Sequence, residues 1–99
     1  MQTLCDIQGL RMTLQECIAH IPPLDQDDVR DALAKVHTCL LHEGATDQGG
    51  QKGQIVYRYL RDRIIVTGTV ATGRSDRYSV RFNRIGFHGI QIIRGHHHH

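Results

Sequence analysis

No run of apolar residues in this 99-residue chain approaches the ~18 that a membrane span requires. The first residues, Met1-Gln2-Thr3, lack the basic, apolar and small-residue order of a secretory signal. Cysteine is scarce. Cys5, Cys17 and Cys39 form an odd set with no C-x-x-C pair, whereas a small secreted domain more often carries an even disulfide framework. These absences set one expectation: a soluble, cytoplasmic protein with reduced thiols and no membrane partner. The phosphate-cradling signatures are missing too. Gly49-Gly50-Gln51-Lys52-Gly53 holds a lysine, but no Ser or Thr follows it, and G-x-G-x-x-G does not occur. The glycine-rich stretch 44–54 therefore reads as a connector, and no cofactor is expected. No internal repeat is apparent. Residues 1–95 read as a single domain, and His96 to His99 after Gly95 look like the remains of a purification tag.

Acidic residues are rare in one half of the chain only. Residues 1–51 hold three bases against eight acids, a net −5, while residues 52–95 hold nine bases against two acids, a net +7. Eight of those nine bases are arginine. Such an asymmetry is an electrostatic hint of contact with a polyanion. It also fits halves that attract each other, or head-to-tail association of copies.

The apolar pattern changes period between the same two halves. Ile7, Leu10, Leu14, Cys17, Ile18 and Ile21 repeat at helical spacing over residues 4–21. Thr13-Leu14-Gln15-Glu16 matches a capping box, which would start the helix at Thr13 and leave residues 1–12 as a turn of helix or an edge strand. Pro22-Pro23 ends that element. With Asp25 as N-cap and Gly44 as stop, the stripe Val29, Leu33, Val36 and Leu40 predicts a second helix over 26–43. From residue 55 the alternation becomes two-residue. Strands are predicted at 55–60, 64–70 and 77–83, with a last one within 85–94 around Ile90–Ile93. Their short connections imply antiparallel neighbours. The expected fold is α+β: two N-terminal helices packed on one face of a three- or four-stranded antiparallel meander.

On such a sheet, the alternation of 77–83 turns Tyr78, Val80 and Phe82 to the helices and Arg77, Ser79 and Arg81 outward. Arg58 joins the outward set from the neighbouring strand, with Lys52, Arg74 and Arg84 as secondary candidates from loops. The planar guanidinium suits phosphate oxygens, so this set is the candidate nucleic-acid-binding face. Its bland alternative is a solvated strand face that discourages edge pairing. Asp27, Asp28 and Asp31 form a negative patch at the start of the second helix, the candidate partner-binding or homodimer surface. Helix-dipole effects account for much of that patch without any partner.

Two other constellations carry less. Cys17-x-x-His20 and Cys39-x-x-His42 repeat a ligand-like spacing, but both cysteines lie near apolar stripes and read as core, so no metal is assigned. His42 and His37 are candidate acid–base residues for a metal-independent ribonuclease, which needs a base, an acid and cations around the transferring phosphate. Helices followed by an antiparallel meander resemble, at the level of topology alone, the layout of RelE- and colicin-type ribonuclease toxins. The leading expectation is a non-enzymatic module that binds nucleic acid or another polyanion. A protein-binding or inhibitor domain acting as a homodimer comes second, and a small ribonuclease third.

Overall fold

The computed structural model describes residues 4–7, 10–46, 55–82 and 90–96. Within these residues eight elements follow one another: β1 (Leu4–Ile7), β2 (Leu10–Thr13), α1 (Leu14–Ile18), α2 (Pro23–His42), β3 (Val56–Leu60), β4 (Arg63–Thr69), β5 (Ser75–Arg81) and β6 (Gln91–His96). The capping box at Thr13 is present: the Thr13 hydroxyl accepts from the Glu16 backbone N–H, and the Glu16 carboxylate accepts from the Thr13 N–H. It fixes where α1 begins. The helical spacing read from residue 4 therefore stops at Thr13, and the residues before it pair as a hairpin, β1 against β2.

The second helix starts earlier than expected. Pro22 is its N-cap and Pro23 its first residue, so Asp25 lies inside the first turn rather than capping it. Proline suits that first position because its missing N–H would have no intrahelical acceptor and its φ is already helical. At the other end Gly44 adopts φ +101°, and a Cβ there would lie 2.6 Å from the Ala71 side chain, so conformation and space both require glycine. No helix among the described residues is long and apolar enough to cross a membrane.

Among the described residues the sheet has six strands in the order β2-β1-β3-β4-β5-β6. β3 to β6 form the expected antiparallel meander, here with four strands. The N-terminal hairpin extends it through a parallel pairing of β1 with β3, Cys5 opposite Tyr57 and Ile7 opposite Tyr59. A parallel neighbour needs a long crossover, and α1 and α2 supply it across one face of the sheet. The result is a two-layer α+β sandwich.

Between the layers, Cys17, Ile18 and Ile21 join Val29, Ala32, Leu33, Val36 and Leu40 of α2 against Tyr57, Ile64, Val66, Tyr78, Val80 and Phe82 of the sheet. Gly68 lets α2 approach: a Cβ there would sit 3.2 Å from both Leu40 and Ala45. Among the described residues one charged residue is buried with them. Asp76 is 0% exposed and accepts bonds from Arg74 Nε at 2.8 Å and Arg94 Nη2 at 2.6 Å. Arg94 Nη2 also reaches Glu43 at 2.6 Å, and its guanidinium lies over the Tyr78 ring at 5.6 Å. This network ties β5 and β6 to the end of α2.

Candidate functional site

Strand alternation sorts the arginines of the meander onto two sides. Residues facing the helices are buried in register, Tyr57 beside Val66 beside Tyr78. Their neighbours face away from both helices. One outward row runs Arg58, Ile65, Ser79, Ile93; the next runs Val56, Thr67, Arg77, Gly95; a third runs Leu60, Arg63, Arg81, Gln91. Arg58, Arg77 and Arg81 thus share one face. Arg58 and Arg77 are two strands and two residues apart, roughly 12 Å from the usual strand spacing and rise.

These arginines are not equivalent. Arg63 and Arg81 stand directly opposite each other, an arrangement of like charges that is unfavourable in itself. Asp62 in the β3–β4 turn relieves it, accepting two bonds from Arg63 at 2.9 and 3.1 Å and a longer one from Arg81 at 3.4 Å. The hydrogen bond from Arg63 holds the Asp62 carboxyl below its ordinary range. Arg81 Nε is buried without an acceptor, so that guanidinium is only partly used. Arg58 and Arg77 are exposed and have no ion-pair partner among the described residues.

Arg74 goes elsewhere. Its guanidinium grips buried Asp76, on the helix-facing side of β5, so it is committed to the fold. Lys52 and Arg84, with most of the glycine-rich connector and His88, lie outside the described residues. The face also carries Val56 and Ile93, which are 51% and 49% exposed, together with partly buried Leu60 and Ile65. Nothing in the basic count foretold these apolar neighbours, although the alternation around Arg58 placed Val56 and Leu60 beside it.

The acidic half forms the opposite side of the molecule. Residues 13–43, which hold both helices, contain six acids and two bases. Asp27, Asp28 and Asp31 are all exposed on α2, and Asp27 takes a 3.2 Å bond from Arg30. The charge asymmetry along the chain is therefore an asymmetry across the two layers.

The histidines separate in the same way. His42 is exposed in the last turn of α2, and the adjacent Glu43 is engaged by Arg94. His37 is half-buried; its Nδ1 lies 2.6 Å from the Tyr57 hydroxyl, with the two rings nearly parallel. His37 and Tyr57 line a cleft of about 610 Å³ between the Thr13–Ile18 segment and one flank of α2. Cys17 is buried while Cys39 is exposed, and no group of three or more metal-ligating side chains occurs among the described residues. Comparison with known proteins returns no relative: no family model, curated protein or solved structure matches this chain.

Proposed function

We propose that this chain is a non-enzymatic binding module whose open sheet face holds the sugar-phosphate backbone of a nucleic acid. The observation that carries the reading is the charge on that face: Arg58, Arg63, Arg77 and Arg81 stand against Asp62 alone among the side chains described there. Arg58 and Arg77 are the primary phosphate contacts, and Arg81 assists by exchanging its long bond to Asp62 for a phosphate oxygen. The acidic helices point away, so the molecule's own field orients an incoming polyanion toward the sheet. Tyr57 and Tyr78 are buried toward the helices, which leaves no tyrosine on the outward rows to stack on bases. Recognition is therefore of backbone rather than sequence. An odd set of three cysteines with no C-x-x-C pair suits a reducing compartment such as the cytoplasm.

The apolar residues on the same face favour a second reading, a protein partner. Val56, Ile65 and Ile93 ringed by arginines resemble the composition of a protein interface, where arginine and apolar residues are enriched. A face-to-face homodimer would oppose two positive surfaces, so this reading points to an acidic partner.

One experiment separates the two: binding of a 20-base-pair DNA duplex and a 12-nucleotide RNA across a salt series, for the wild type and the double variant Arg58→Glu, Arg77→Glu. The expected result is a loss of affinity of at least tenfold, with the slope of log affinity against log salt smaller by about two. Unchanged affinity and slope in the variant would remove the nucleic-acid reading. Absence of binding to either probe at low salt, with the fold intact, would leave the protein-binding reading in its place.

A further inference from the structure

The cleft between the helices lies on the other side of the sheet from the arginines and is independent of them. Its volume, about 610 Å³, falls in the range of small-molecule sites. Its walls are graded along α2. Arg30, Leu33, Ala34, His37 and Thr38 recur at intervals of three and four residues, so they form one stripe. Two helical turns, about 10.5 Å, separate the cation at one end from the imidazole at the other. Between them Leu33 of α2 and Leu14 and Ile18 of α1 supply an apolar middle.

We propose that this cleft binds a small, elongated monocarboxylate, with its carboxylate on Arg30, its apolar body on Leu14, Ile18 and Leu33, and a terminal hydroxyl beside His37 and Thr38. Among the described residues Arg30 is the only charged side chain lining the cleft, and no carboxylate is among them. Its present partner Asp27 is 95% exposed, so that ion pair is a water-exposed one of small worth, and a ligand carboxylate can replace it. The acidic layer around the cleft disfavours a second negative charge, which selects a carboxylate over a phosphate monoester. At the far end, the 2.6 Å contact between His37 and buried Tyr57 holds both rings in place, so this wall is set before a ligand arrives.

The test is titration of the isotopically labelled chain with 4-hydroxycinnamate, whose charged and hydroxyl ends span about two helical turns. Saturable chemical-shift changes should centre on residues 13–18, 30–38 and 57. Arg30→Gln should weaken binding at least tenfold. Cinnamate, without the hydroxyl, should bind several-fold more weakly, and 4-hydroxycinnamyl alcohol, without the charge, should not saturate. Ala34→Trp, a change at an exposed position in the cleft wall, should block binding without lowering the melting temperature. The Arg58→Glu, Arg77→Glu variant should bind like the wild type. The proposal fails if millimolar probe gives no saturable shifts, if Arg30→Gln and Ala34→Trp bind as well as the wild type, or if the sheet-face variant loses binding.

Discussion

Asp76 is the residue on which most of the charged chemistry inside the fold converges. A carboxylate with no exposure is costly unless its oxygens are occupied, and Arg74 and Arg94 occupy them from two directions. The hydrogen bond to Asp76 also raises the Arg94 guanidinium further above its already high range. Asp76→Asn keeps the shape and removes the charge. It should destabilise the domain by about 3 kcal/mol, the low end for breaking a buried pair, because both arginines remain within reach of water. Urea denaturation followed by circular dichroism would measure this; a loss below ~1 kcal/mol would show that the network contributes little. The sequence pattern starts β5 at Arg77 and leaves Asp76 in the loop before it, whereas the strand begins at Ser75 and buries Asp76 on the side of Tyr78. Its two arginine partners were not legible, because one comes from a hairpin and the other from a strand whose boundaries glycines had blurred.

At the scale of elements, local chemistry decided more than periodicity. Residues 4–21 carry a helical spacing almost throughout, yet among the described ones only Leu14–Ile18 are helical, because the Thr13–Glu16 box satisfies the free N–H groups of a helix that starts there. Thr13→Ala removes the hydroxyl that accepts from the Glu16 N–H and donates to its carboxylate, leaving only the backbone bond of the box, and should cost about 1 kcal/mol. Chemical denaturation would read the loss, and Thr13→Ser should restore most of it. β4 and β5 were readable because each alternates between a buried and an open face, and a slip of one residue would turn Tyr78 and Val80 to water. The start of α2 was misplaced by three residues, since proline was read as a terminator when Pro23 opens the next helix. The hairpin's attachment beside β3 was out of reach of local patterning. It joins residues some fifty positions apart, and no spacing within either segment records it.

For the whole molecule, the separation of charge between layers has a consequence for acid stability. Asp62 and Glu16 both hold their protons less readily than usual, Asp62 chiefly through its bond from Arg63 and Glu16 through Thr13. A carboxyl lowered in the folded state contributes stability above its unfolded value near pH 4 and loses it as pH falls through the lower folded value. The melting temperature should therefore hold roughly level from pH 7 to about pH 5 and decline below about pH 4. Asp62→Asn should flatten part of that decline while lowering stability at neutral pH. A melting curve independent of pH down to ~3 would contradict this account. The same separation was legible in the sequence as a count, but not as a direction, because only the crossover of α1 and α2 over one face turns two halves of a chain into two sides of a body.

That crossover also bears on the order of assembly. β1 leaves the ribosome about fifty residues before β3, and in the finished sheet it lies between β2 and β3. During synthesis the first hairpin has one long side without a neighbour until residues 56–60 emerge. Contacts of such sequence separation slow folding, and unpaired strand edges in nascent chains invite association with other chains. The meander, made of neighbours in sequence, closes quickly once begun. Its last product is the seat that the first-made strands have been waiting for.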